Sequence, residues 1–248
     1  MTVYFIGAGP GDPELITVKG QRLIRTCPII IYAGSLVPVA VLEGNQAVQI
    51  TNSAELHLEQ IIELIKAAHV QGQDVARVHS GDPSLYGAIG EQIRHLRELN
   101  IPFEIIPGVT ATAACAALLG TELTLPDISQ SVILTRYADK TVMPAGEELA
   151  SLAQHRATMA IHLGVKNLPR IVEELIPHYG ADCPIAVVHR ASWPDQDWVL
   201  GTLSDIEEKV QVKGFRRTAL ILVGRVLADD TFSESSLYRA SHAHLFRP

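Results

Sequence analysis

The chain has 248 residues, of which 47% are hydrophobic, 19% charged and 5% aromatic, with a formal net charge of −7. That length suits two compact domains, and that composition excludes a disordered chain and a coiled coil. The charge argues against a nucleic-acid binder, which needs a concentrated excess of Lys and Arg, and the adjacent pair Arg216-Arg217 reads as a solvated corner.

The chain opens on an apolar run at residues 3–6 with no basic segment before it, so no signal peptide is expected. Short β-branched runs then predict strands at 3–6, 29–32, 47–50, 75–79 and 103–106. The apolar stretch 28–42 is broken by Gly34, Ser35 and Pro38, which excludes a bilayer span. A helix is expected after Thr17. Leu58, Ile61, Ile62 and Ile65 recur at helical spacing up to Gly72, and Ile89, Ile93 and Leu96 do so before Asn100. The small-residue run 110–119, stopped by Gly120, predicts a further helix. Alternating strands and helices imply a largely parallel sheet.

The segment 121–130 has little periodicity and carries Pro126 and Asp127, so the domain junction is placed there, giving domains at 1–120 and 121–248. The second half predicts strands at 132–135, 159–163, 185–188, 199–202 and 219–223, with helices at 168–176 and 203–212. Only about ten residues separate His189 from Val199, too few for a helical crossover, so this sheet should be mixed. Cys27, Cys115 and Cys183 are odd in number and lack C-x-x-C spacing, which favours a reducing, cytoplasmic setting over disulfides or a zinc knuckle. The ten histidines are scattered, and the His242/His244 pair lies in a polar tail, so no metal site is expected.

Three turns follow strands directly. Gly7-Ala8-Gly9-Pro10-Gly11-Asp12 fails as a dinucleotide loop, because Asp12 stands where the third glycine belongs and Tyr32-Ala33 stand where an acidic residue is wanted. His79-Ser80-Gly81-Asp82-Pro83-Ser84-Leu85-Tyr86-Gly87 and Pro107-Gly108-Val109-Thr110-Ala111 leave later strands at the same carboxyl edge, where parallel sheets bind ligands. There is no nucleophile elbow and no Ser-His-Asp order. Glycines, hydroxyls at Ser80 and Thr110 and one carboxylate at Asp82 suit a site that holds a cofactor and leaves the chemistry to it.

These turns, with Leu15-Ile16-Thr17, closely resemble the tetrapyrrole methylase family, and the resemblance covers the whole chain. It implies a homodimer of two α/β domains with S-adenosylmethionine bound in the cleft between them, S-adenosylhomocysteine as product and a polyanionic tetrapyrrole as substrate. Tyr32-Ala33-Gly34-Ser35-Leu36-Val37, Asn52-Ser53-Ala54-Glu55-Leu56, Ser129-Gln130-Ser131 and Ala191-Ser192-Trp193-Pro194 resemble the branch that methylates C11 of precorrin-4. The sirohaem branch carries Asp at the position of Ala33 and a Lys near Asn52, so uroporphyrinogen methylation is disfavoured. Carried over by motif, the implied cofactor contacts are Pro10, Ser80, Gly81, Asp82, Leu85, Thr110 and Ala111, with Leu163, Ala191, Thr218 and Ala219 from the second half. Arg136 and Arg190 are candidates for the substrate carboxylates. No catalytic side chain is assigned. The alternatives are the same reaction on cobalt-precorrin-4, another position of the corrin, and a carrier without turnover.

Overall fold

Five β-branched runs of the first half make one parallel sheet in the computed structural model, which describes residues 1–138, 141–228, 232–233 and 235. The strands are β1 (Val3–Gly7), β2 (Ile29–Tyr32), β3 (Gln49–Asn52), β4 (Val75–His79) and β5 (Phe103–Ile106), in the order β3-β2-β4-β1-β5. Both faces of the sheet's centre are covered, which is why β1 and β2 read as nearly continuous apolar runs. On one face Phe5, Ile31 and Val75 pack with Ile61 and Ile65 of α2 (Leu58–Val70) and with Ile93 and Leu96 of α3 (Ile89–Glu98). On the other, Ile6, Ile30 and Val78 pack with Ile24 of α1 (Val18–Thr26). Thr17 caps α1 by accepting the N–H of Gly20 at 3.1 Å. The third strand begins two residues later than its sequence pattern suggested. Val48 is exposed, and Ala47 and Val48 precede the pairing of Gln49 with Ile29.

The second sheet is mixed. It runs β6 (Val132–Arg136), β7 (Thr158–His162), β10 (Ala219–Val223), β8 (Pro184–His189), β9 (Asp197–Thr202), with β6 and β7 parallel and the remaining pairs antiparallel. Its core joins Met159, Ile161, Ile185, Val187 and Ile221 to α6 (Leu168–Tyr179) and α7 (Ile206–Lys213). The short helix α5 (Leu149–Ala153) was not legible, since five residues carry too little periodicity.

By contacts the chain divides into two units, Met1–Ala114 with Ala191–Asp195, and Cys115–Arg190 with Gln196–Pro248. The division falls inside α4 (Ala111–Leu119) rather than in the loop that follows it, and the segment between β8 and β9 groups with the first unit. Among the described residues no helix is long and apolar enough to cross a membrane.

Candidate cofactor and substrate site

Because β4, β1 and β5 are parallel neighbours, the turns that leave their carboxyl ends must meet. The first two pair as a short bridge. Gly81 N–H donates to the Gly9 carbonyl at 2.7 Å, Gly9 N–H donates to the Gly81 carbonyl at 3.3 Å, and Ala8 N–H donates to the His79 carbonyl at 2.8 Å. Both glycines sit at positive φ, +78° and +62°, where a side chain is strained. The third turn closes on them: a Cβ on Gly108 would stand 2.1 Å from the Gly81 oxygen and 2.8 Å from Gly7 Cα. The glycines thus let three backbones pack against one another.

Side chains complete the packing. Asp82, read from sequence as a ligand acceptor, ties the turns together. One oxygen accepts Ser84 N–H at 2.7 Å, and the other accepts Gly108 N–H at 2.9 Å. Thr110 accepts Ala113 N–H at 3.2 Å and so caps α4. Pro10 is buried, while Ser80, Gly81, Leu85, Thr110 and Ala111 keep part of their surface open. Ser192 and Trp193, which the sequence presented only as part of a branch motif, hold the first turn: Trp193 Nε1–H donates to the Pro10 carbonyl at 2.9 Å, and Ser192 Oγ accepts Asp12 N–H at 2.9 Å.

A polar cluster lies beneath the second turn that sequence reading missed, because Arg77 and His79 alternate with apolar residues as a solvent-facing strand would. Both are only 5% exposed. Arg77 donates through Nε to Gln92 Oε1 at 3.2 Å and through Nη1 to the Ile31 carbonyl at 3.3 Å, and Gln92 Nε2 donates to the Ala88 carbonyl at 3.0 Å. This relay anchors a kink in which Tyr86 and Ala88 both have left-handed backbone, φ 56° and 50°. Burial pushes Arg77 down to about 10, which leaves it charged at neutral pH. Burial, aided by the Arg77 charge, pushes His79 down to about 3, so its ring is neutral, and its Nε2 has no hydrogen-bond partner.

At the carboxyl end of β2, Asn52 Oδ1 accepts the N–H of Gly34 at 3.1 Å and of Ala54 at 2.9 Å, and Ser53 Oγ donates to the Tyr32 carbonyl at 3.1 Å. A Cβ on Gly34 would fall 2.5 Å from the Asn52 amide. Two segments singled out in the sequence, 32–37 and 52–56, therefore lock to each other.

In the second unit the remaining candidates collect at one end of the mixed sheet. Arg136 ends β6, Leu163 follows β7, Arg190 follows β8, and Thr218 and Ala219 open the antiparallel β10. Leu163 is 68% exposed, and Leu163, Arg190 and Thr218 all have positive φ. Ala191 is buried and groups with the first unit. The Arg136 guanidinium donates to the carbonyls of Tyr137, Thr141 and Val142 and so braces its own loop. Burial lowers the pKa of the neighbouring His162. Among the described residues no group of three or more His, Cys, Asp or Glu side chains could hold a metal, and the His242/His244 pair lies outside those residues.

A family profile described as Tetrapyrrole (Corrin/Porphyrin) Methylases matches residues 2–207. The chain belongs to the tetrapyrrole methylases. Among its relatives, this methylase is 75% identical over 248 residues to a precorrin-4 C(11)-methyltransferase of Pseudomonas aeruginosa, covering 100% of this chain and 99% of that protein. It is 50% identical over 247 residues to a cobalt-precorrin-4 C(11)-methyltransferase of Methanocaldococcus jannaschii, covering 99% and 95%. Among solved structures it superposes on a cobalt-precorrin-4 methyltransferase of cobalamin biosynthesis with a TM-score of 0.89 at 39% identity, covering 92% and 96%. A uroporphyrin-III C-methyltransferase of Thermus thermophilus, complexed with S-adenosyl homocysteine, gives a TM-score of 0.77 at 29% identity, covering 92% and 94%.

Proposed function

We propose that this methylase transfers a methyl group from S-adenosylmethionine to C11 of precorrin-4, giving precorrin-5 on the route to cobalamin. The observation that carries this is 75% identity along the whole chain to a precorrin-4 C(11)-methyltransferase. The turn residues Pro10, Ser80, Gly81, Asp82, Leu85, Thr110 and Ala111 would hold the cofactor. They fit it because the three turns meet at the carboxyl edge of the parallel sheet, where such sheets bind ligands, and Ser80, Gly81, Leu85, Thr110 and Ala111 keep part of their surface open there.

When bound, S-adenosylmethionine supplies an activated methyl group on a sulfonium. The chain's work is then to orient and to exclude water. It brings no strong base to the turns: both Asp82 oxygens accept backbone N–H groups, and the His79 ring is neutral and buried. A conjugated tetrapyrrole provides the nucleophilic carbon itself. Arg136 and Arg190, at the ends of β6 and β8 on the same end of the mixed sheet, are the candidates for the substrate carboxylates. We place the enzyme in the cytoplasm, where its three free, buried thiols stay reduced, and as a homodimer, to be checked by sedimentation.

The resemblance to two cobalt-precorrin-4 enzymes favours one second reading, the same methylation on the cobalt complex. Incubation with each substrate form and S-adenosylmethionine, with kcat/KM compared and the new methyl carbon located by NMR, decides between them. Absence of S-adenosylhomocysteine formation with both forms would leave a tetrapyrrole carrier.

A further inference from the structure

We propose that Trp193, supported by Ser192, is a positioning residue that builds the first cofactor turn and senses its occupancy. This rests on the reading that the Pro10 turn holds S-adenosylmethionine.

The segment Ala191–Asp195 lies between β8 and β9 in the chain yet groups with the first unit. Three consecutive residues of the first turn are bound by two of its side chains. Pro10 gives its carbonyl to the Trp193 indole N–H at 2.9 Å, and Asp12 gives its N–H to Ser192 Oγ at 2.9 Å. Gly11, between them, lies under the indole so closely that a Cβ would be 2.2 Å from Cδ1 and 2.5 Å from Nε1. On its other side the turn is held by the Gly9–Gly81 bridge. The segment reaches this position through left-handed backbone at two residues that are not glycine, Arg190 at φ 50° and Ser192 at φ 67°. Such strain persists where the surroundings fix it, and it concentrates at ligand clamps.

Packing alone would need only a ring over Gly11, which Phe supplies. The indole N–H adds a fixed direction for the Pro10 carbonyl and so sets the shape of the turn before any ligand arrives. A turn ordered in advance binds more tightly, because its conformational freedom is not lost on binding.

The chain has two tryptophans, and Trp198 stands 40% exposed on β9, so Trp198→Phe leaves Trp193 as the sole indole of the full-length protein. Titrating that protein with S-adenosylhomocysteine should move the Trp193 emission, with the same Kd as calorimetry gives. Trp193→Phe keeps the ring and removes the N–H. It should raise the Kd for S-adenosylhomocysteine about tenfold, the loss expected for one partly buried hydrogen bond. It should raise KM for S-adenosylmethionine while leaving kcat at saturation near that of the parent, the split expected when binding but not chemistry is affected. Ser192→Ala should shift Kd in the same direction, and it carries the test if Trp193→Phe does not fold. Unchanged affinity in the folded variants, or Trp193 emission that saturating S-adenosylhomocysteine leaves unmoved, overturns the proposal while the cofactor reading stands. If the parent protein shows no binding by calorimetry, both fall.

Discussion

One oxygen of Asp82 accepts the backbone N–H of Gly108 at 2.9 Å, a bond that joins the turn after β4 to the turn after β5. Its other oxygen closes its own turn on Ser84 N–H. The carboxylate is therefore a brace for the platform on which the cofactor is proposed to lie. Asp82→Ala should lower stability by about 2 kcal/mol, since hydrogen bonds to a charged group contribute roughly 1.5 to 3 kcal/mol and this site is only partly buried. That corresponds to a fall of about 5 °C in melting temperature for a chain of this size. The stabilisation by S-adenosylhomocysteine, about 2.7 kcal/mol at one hundred times Kd in the parent, should shrink as well. A variant that melts with the parent would show that the brace carries little energy.

The glycine at the other end of that bond gives a sharper contrast. In Gly108→Ala the new methyl meets the Gly81 oxygen at 2.1 Å and Gly7 Cα at 2.8 Å, and these are backbone atoms that cannot swing away. Overpacking of this kind costs about 1 to 3 kcal/mol or more, and here it also pries the three turns apart, so S-adenosylhomocysteine should no longer raise the melting temperature. Gly90→Ala is the control. It lies in α3 with nothing within 4 Å of its Cβ position, and removing a helical glycine should leave stability equal or higher by up to about 1 kcal/mol. Equal behaviour of the two variants would contradict the packing described.

The sequence yielded the sheet strands well because β2, β4 and β5 are short, mostly apolar stretches flanked by Gly, Pro or Asn signals. Its errors have local causes. β3 is an edge strand with Ile50 47% exposed, so burial did not mark its register. Within the site, the convergence of three turns followed from parallel order, but the partners did not. Asp82 and Gly108 are 26 residues apart, and Trp193 and Pro10 are 183 apart, so no local pattern links them. Arg77 and Gln92 were invisible for a different reason: a buried polar pair breaks the apolar alternation and imitates an exposed face.

That pair supports a third prediction. Gln92 is the link between the Arg77 guanidinium and the Ala88 carbonyl. Gln92→Ala leaves a buried, charged Nε–H without its acceptor and releases the left-handed Tyr86–Ala88 kink, so stability should fall by about 2 to 3 kcal/mol. Double replacement with Arg77→Met removes the orphaned charge, and part of the loss should return. A double variant no better than Gln92→Ala in urea unfolding would show that the buried charge is not what the amide serves.

The buried His79 sets an acid limit on the fold. Its pKa is held at about 3 in the native chain, against 6.5 when exposed, by burial first and by the Arg77 charge second. Below pH 6.5 the unfolded chain therefore binds a proton that the native chain refuses, so stability falls with falling pH, and the loss continues down to about pH 3. At about 1.4 kcal/mol for each pH unit, His79 alone should cost about 2 kcal/mol between neutral pH and pH 5. His162, lowered by burial as well, acts with the same sign. The carboxyl groups lowered by partners, such as Asp182 beside Arg225 and Asp197 beside Lys213, are exposed and contribute only at lower pH. His79→Leu removes the titration, and because Nε2 has no partner it strands no donor or acceptor of a neighbour. Urea unfolding at pH 7.5 and pH 5 should then show a stability difference smaller by about 2 kcal/mol in His79→Leu than in the parent. An identical pH slope in the two proteins would mean that His79 takes up its proton in the folded state, and that the space around its ring admits water.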